Sequence, residues 1–248
     1  VRLLYALLAV LLLATPAHSA IAVVQTVSCS AHGATSCTTG AVTTTNGNLF
    51  VANSSYCCAA FTSVTDSKSN SYGNAIAATS DADGGTIRQD FIAAGTGGAS
   101  HTFTLTGASG AFFGSLSVIE VSGAAASPLD KTATGQDSGT SHTTSNTATT
   151  SQADELLIGV GASIDITTYT TDTGAGWTER TNIATDVNTE GILTGSRVVS
   201  ATGTYAYTYT SGTNDDFAQG ISTWKAAAAG GGARQQCVGC GADRKVIE

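Results

Sequence analysis

Charge is scarce in this chain: Asp, Glu, Lys and Arg together make up 11% of 248 residues. Only ten residues are Lys or Arg, against eighteen acids, for a net charge of −8. A nucleic-acid surface needs clustered cations facing phosphate, and these few are scattered, so nucleic acid is not an expected partner. No segment shows sustained helical periodicity with caps, which argues against a helical or mixed fold. Catalytic motifs are missing too: there is no Gly-x-Ser-x-Gly elbow, and His32, His101 and His142 stand singly, outside any metal-ligand spacing. Sparse charge does not imply disorder here. Hydrophobic residues are 42% of the chain, and they alternate in blocks that can bury a core.

The one long apolar run is at the start. Residues 1–20 read as a secretory signal peptide, with Arg2 as the positive region, Leu3 to Leu13 as the apolar region and Ala17-His18-Ser19 as a small-x-small cleavage site. The run is short for a bilayer span, so no membrane span is expected after cleavage, and the protein is expected to be secreted or held at the cell surface. The six cysteines, Cys29, Cys37, Cys57, Cys58, Cys237 and Cys240, suit that oxidising route. Their pairing stays open, with Cys29 and Cys37 expected to bond locally or with the Cys57-Cys58 doublet. Cys237-x-x-Cys240 has zinc or redox spacing, but one such pair cannot close a four-ligand site.

Between these ends the pattern is of short strands. The stretch Ala111 to Asp130 carries the firmest: Leu116, Val118 and Glu120 on one face, Ser117, Ile119 and Val121 on the other, then a turn over Ser122 to Ser127 and a new extended segment from Pro128. Asp154 to Ala162 is the second, with Leu156, Ile158 and Val160 opposite Leu157, Gly159 and Gly161, the glycines allowing a layer or ligand to approach closely. Asn46-Gly47 is a turn signal, as is the Asp66, Ser67, Asn70 stretch. The Thr-rich stretch Ser138 to Ser151 reads as an exposed edge strand, and Thr204 to Thr210 as the second arm of a hairpin turning at Thr202-Gly203. The expectation is an all-β fold: a single antiparallel β-sandwich of ten to twelve strands over residues 21–226, followed by a flexible Gly-rich tail, 227–248, that carries Cys237 and Cys240.

Several local sequences point the same way. They are Asn46-Gly47-Asn48-Leu49, Val64-Thr65-Asp66-Ser67 with Asn70 and Tyr72, Ile119-Glu120-Val121-Ser122-Gly123, and Pro128-Leu129-Asp130. To these add Asp154-Glu155-Leu156-Leu157-Ile158-Gly159, Gly176-Trp177-Thr178 and Ile221-Ser222-Thr223-Trp224-Lys225. In their order they resemble a family of exported bacterial β-sandwich domains. The resemblance implies a jelly-roll, concanavalin- or lectin-like sandwich, and carries over no catalytic residue. The chain departs from the pattern at Ser69, where glycine would suit the turn better.

Candidate site residues follow from chemistry. Glu120, a carboxylate in an apolar strand, is a candidate ligand anchor or glycosidase acid. Its neighbours Leu116, Val118 and Ser122 supply no second carboxylate, so bonding to loop backbone amides or to an arginine near the strand end is the competing role. Trp177 and Tyr207, within the row Tyr205, Tyr207, Tyr209, offer rings that stack on sugars or fill a core. Asp81-Ala82-Asp83-Gly84 resembles the start of a calcium loop, so Asp81 and Asp83 are metal candidates and calcium is the one cofactor raised. The twelfth position that an EF-hand would need as Glu is Ile92. The functional expectation is an exported, non-enzymatic module that binds or adheres to a glycan or cell-surface polymer. Its rivals are a glycan-active enzyme of lectin-like fold and a structural subunit of an extracellular or virion assembly.

Overall fold

In the computed structural model, which describes residues 20–110, 112–164, 168–184 and 190–228, every regular element but one 3-10 turn is a strand. The sixteen strands are β1 (Ala22–His32), β2 (Ser36–Thr38), β3 (Val42–Thr44), β4 (Leu49–Cys57), β5 (Phe61–Asp66), β6 (Gly73–Ser80), β7 (Thr86–Ile92), β8 (Gly98–His101), β9 (Phe103–Gly107), β10 (Phe113–Ser122), β11 (Ala124–Thr143), β12 (Asp154–Ala162), β13 (Tyr169–Thr171), β14 (Thr178–Ile183), β15 (Ile192–Ser200) and β16 (Thr208–Ala226). That exceeds the ten to twelve expected, because short strands such as β2, β3 and β8 have too few residues to show an alternating pattern. The expected signal peptide, and Cys237 and Cys240 in the expected tail, lie outside the described residues. Among the described residues no helix is long and apolar enough to cross a membrane.

All strand pairs are antiparallel, and the sheets stay open. One has five strands in the order β1-β10-β4-β7-β6. A second has β11-β16-β12-β15-β14, with β13 also pairing β16. A three-stranded sheet, β2-β9-β5, and a two-stranded one, β3-β8, complete the set. β10 is buried almost throughout and sits beside β4, with Ile119 opposite Val51 and Val121 opposite Leu49.

The period of two along each strand decides which layer a side chain meets. Leu49, Val51, Ile119 and Val121 point from the five-stranded sheet onto Leu156, Ile158 and Trp224 of the second sheet. Ile76 and Ile87 extend that contact to Val160, Ile192 and Ala218. The alternate residues Phe50, Ala52, Leu116 and Val118 face the other way, onto Phe103, Leu105 and Val64 of the three-stranded sheet. β12 repeats the device. Leu157 turns to a separate cluster with Trp177, Tyr207, Tyr209 and Phe217.

Gly159 and Gly161 lie on that same face. A Cβ on Gly159 would sit inside the Tyr207 ring, and one on Gly161 inside the Tyr209 ring. The approach these glycines allow is therefore made by the chain's own tyrosines.

The Thr-rich stretch is partly as expected. Its first part belongs to β11, an edge of the second sheet. Beyond it, residues 144–150 leave strand geometry, and so do residues 201–207, where a strand from Thr204 was expected; β16 begins only at Thr208. The two segments are joined by threonines. Thr144, Thr147 and Thr150 each donate a backbone N–H to the carbonyls of Tyr207, Tyr205 and Gly203, at 3.0, 2.9 and 2.9 Å. Each threonine Oγ1 accepts the N–H of the same partner, at 2.9, 3.1 and 3.2 Å. A step of three residues on one side meets a step of two on the other, so side-chain oxygens take the place of every second carbonyl in the ladder.

Replacing Gly159 by Ala should cost about 1–3 kcal/mol by overpacking against Tyr207. Urea unfolding would measure it, and an unchanged midpoint would show that the tyrosine layer yields.

Candidate functional site

β5 and β7 carry the side chains of the one open cleft that combines aromatic, cationic and anionic groups among the clefts described. Arg88 and Asp90 are two residues apart on β7 and so share a face. Arg88 Nε donates to Asp90 Oδ2 at 2.7 Å and Nη2 to Oδ1 at 2.8 Å, a two-pronged pair. The Arg88 side chain keeps 28% of its surface exposed and that of Asp90 only 5%. Asn74 Nδ2 also donates to Asp90 Oδ1, at 3.2 Å. The guanidinium lies 4.8 Å from the ring centre of Phe61, in reach of a cation–π contact. Phe61 packs in turn on Tyr56, ring centres 5.6 Å apart. The hydrogen bonds to Asp90 raise the Arg88 pKa, so this cation is permanent. Thr62, Ser63, Val64 and Tyr72 line the rest of a cavity of about 190 Å³.

The wall at Tyr72 is held by Asp66. Oδ1 accepts the N–H groups of Lys68 and Asn70 at 2.9 and 3.2 Å, and Oδ2 accepts Asn70 Nδ2 and Tyr72 Oη, both at 2.8 Å. Burial works to raise this carboxyl, but the four bonds outweigh it and hold its pKa below the usual range. The turn so formed puts Ser69 at φ 60°, the position where glycine was the better fit. His101 is fully enclosed. Its Nδ1 bonds Thr44 Oγ1 at 2.7 Å and its Nε2 faces Asp66 Oδ2 at 3.4 Å.

The residues singled out in the sequence lie elsewhere and apart from one another. Glu120 is 2% exposed. Its Oε1 accepts Thr45 N–H at 2.8 Å and Asn48 Nδ2 at 2.7 Å, and its Oε2 accepts Gln25 Nε2 at 2.6 Å. It fastens the Asn46-Gly47 turn and β1 to β10, the amide-bonding role weighed for it. Trp177 and Tyr207, weighed as sugar-stacking rings or core, are 2% and 0% exposed and take the core role. They pack edge to face with centroids 4.6 Å apart, on the far side of the second sheet from Glu120. Neither presents a ring face to solvent, because Leu157, Leu193 and the second tyrosine close around them.

Asp81 and Asp83 sit in the β6–β7 turn. Asp83 N–H donates to Asp81 Oδ1 at 3.1 Å, while Asp83 is exposed and Asp81 buried. Among the described residues no group of three or more His, Cys, Asp or Glu is placed to hold a metal ion. Asp81 Oδ2 and both oxygens of the buried Glu190 lack hydrogen-bond partners. Burial raises Asp81 to about 6 and also lifts Glu190 well above the usual carboxylate range, with the charge of Asp81 adding to Glu190. Cys29 and Cys37 are disulfide-bonded, Cα atoms 5.9 Å apart, tying β1 to β2. Cys57 is a buried thiol whose pKa burial pushes up, and Cys58 is an exposed one.

A second acid pair was not singled out in the sequence. Asp130 accepts Ser151 N–H at 2.6 Å, Ser151 Oγ at 2.8 Å and Lys131 Nζ at 3.1 Å. These bonds outweigh its burial and hold it at about 2. Glu155, fully enclosed, has no well-formed hydrogen bond. Burial, and next to it the Asp130 charge, raise it to about 7 against the pull of Thr223. The order of charges follows from access to donors: Asp130 has three, Glu155 none of good geometry.

Comparison with protein-family models, with curated proteins and with solved structures finds no match to this chain. The cleft was legible only in part. Arg88-x-Asp90 on an alternating strand is a sequence signal, but nothing local brings Phe61 to it.

Two outcomes follow. Glu120→Ala strands the Thr45 N–H and the Asn48 amide, and should destabilise by about 1–3 kcal/mol in chemical unfolding. For Glu155, the ordinary value is 4.5 and the folded value about 7. The folded chain thus keeps a proton that the unfolded chain loses, and the stability from this group is full below pH 4.5 and lost as pH rises through 7. Asp81 acts in the same direction and Asp130 in the opposite one, at more acid pH. Stability measured from pH 5 to 8 should therefore fall less in Glu155→Gln than in the parent, by about 1–3 kcal/mol.

Proposed function

We propose that the chain is an exported β-sandwich of jelly-roll, lectin-like plan that binds carbohydrate on a cell surface or polymer through the Phe61–Arg88–Asp90 cleft. The observation that carries this reading is the cleft's chemistry: an aromatic ring beside a guanidinium held flat by a carboxylate. A pyranose offers an apolar C–H face to a ring and hydroxyls to a planar fork of N–H donors. Arg88 Nη1 makes no hydrogen bond within the described chain, so its donors can serve a ligand hydroxyl. The net charge of −8 works against polyanions, which makes a neutral sugar the fitting ligand.

Two open antiparallel sheets with facing apolar sides support the sandwich plan. The N-terminal apolar run and the Cys29–Cys37 bond support export. Glu120, enclosed and met by donors from Thr45, Asn48 and Gln25, is placed as a fastening of the turn and not where a glycan reaches it.

A glycan array followed by calorimetry on the best neutral oligosaccharide tests this. Phe61→Ala and Arg88→Gln should each weaken binding at least about tenfold, or ~1.4 kcal/mol. Their melting curves serve as a check on folding. No retention of any glycan, or undiminished binding in folded Phe61→Ala, would remove the cleft from consideration.

A further inference from the structure

Where β11 and β16 lose register between Gly139 and Ser141, three side chains from the two strands meet. His142 Nδ1 lies 2.7 Å from Asp137 Oδ1, and His142 Nε2 lies 2.9 Å from Ser211 Oγ. A carboxylate only accepts, so the contact with Asp137 places a proton on Nδ1. Asp137 Oδ2 in turn accepts Thr143 N–H at 3.1 Å, which fixes the carboxylate. The imidazole is fully enclosed, its ring centre 3.7 Å from that of Phe217 and 4.9 Å from that of Tyr209. Ser211 is half-buried, not enclosed. Gly139, whose carbonyl oxygen is 3.5 Å from Ser211 Oγ, has open space where a side chain would stand. A reactant thus has room beside the hydroxyl, while the histidine behind it is held rigidly in a dry setting.

We propose that Ser211, His142 and Asp137 form a serine nucleophile centre that cleaves small activated acyl esters, an activity separate from the carbohydrate cleft. Serine acts as nucleophile, histidine as proton carrier and aspartate as the positioning residue that fixes tautomer and ring. Ser211 Oγ adds to the ester carbonyl carbon as its proton passes to His142 Nε2. In the resting chain Ser211 Oγ covers Nε2; as Oγ turns onto the acyl carbon it uncovers that nitrogen, the bond from the carbon to the leaving oxygen breaks, and the leaving oxygen takes the proton from Nε2. Water hydrolyses the acyl-serine by the same path, giving up a proton to Nε2, which returns it to Ser211 as the carboxylic acid departs.

Two features set the limits of this centre. Ser211 Oγ also lies 2.7 Å from the Thr213 carbonyl oxygen, so its one proton must turn from that acceptor to Nε2 before attack. The Gly212 N–H next to the nucleophile donates to Thr168 O at 3.0 Å and is not offered to an oxyanion. Lack of one such donor costs about 10²–10³-fold in rate. The chemistry is therefore confined to substrates whose leaving group departs readily, and turnover is slow.

A fluorophosphonate probe and p-nitrophenyl acetate, applied to the full chain, test the centre. The expected result is one phosphonyl adduct per chain, located at Ser211 by mass spectrometry, with p-nitrophenolate release that Ser211→Ala abolishes while keeping the parent melting temperature. Asp137→Asn should label at least about tenfold more slowly. It should also lose a downfield imidazole N–H proton resonance that the parent and Ser211→Ala both show. Absence of an adduct at Ser211 in the folded parent, or an equal labelling rate in Asp137→Asn, would overturn the proposal and leave the three groups as a fastening between β11 and β16.

Discussion

Burial of both faces of the central strands is the constraint on which the rest depends. β4, β10 and β12 each send alternate side chains into different layers, and every residue of β4 is buried. Apolar burial contributes roughly 25 cal/mol per Å², so two-sided strands anchor several layers at once. The same arrangement leaves no solvent side on which to place a polar group or a bulky ring. Gly159 and Gly161 are where that limit shows: the tyrosine layer can lie on β12 only because these positions have no side chain.

Polar groups in such an interior divide by whether donors reach them. Asp66 and Glu120 are met by amides and side-chain donors, so their carboxylates organise turns at the margin of the core. Asp81, Glu155 and Glu190 have oxygens without partners, and burial pushes their pKa values up. The first two are structural pins; the last three make the fold sensitive to the protonation of its interior. Threonine fills a comparable role where strand geometry stops, as residues 144–150 show, because its hydroxyl can stand in for a carbonyl.

The two proposed sites occupy different layers. The cleft lies between β5 and β7, where the three-stranded sheet meets the five-stranded one. The Ser211 centre lies on the outer pair β11–β16 of the second sheet. No shared element links them, so each stands or falls on its own chemistry.

Sequence alone determined the strand content, the alternation of faces and several element bounds, because these follow from local periodicity; β12 spans the expected Asp154–Ala162. It also placed the turn at Asp66 and the amide-bonding role weighed for Glu120. Only the tertiary structure decided which rings are core and which are available. Trp177 and Tyr207 are alike in sequence to surface platforms, and are enclosed because a second layer closes over them. Arg88 with Phe61, and His142 with Ser211, are brought together across 27 and 69 positions of chain. Such meetings depend on the register between strands far apart in the chain, which the pattern of either segment alone does not fix and which is settled when the two pack on a common core.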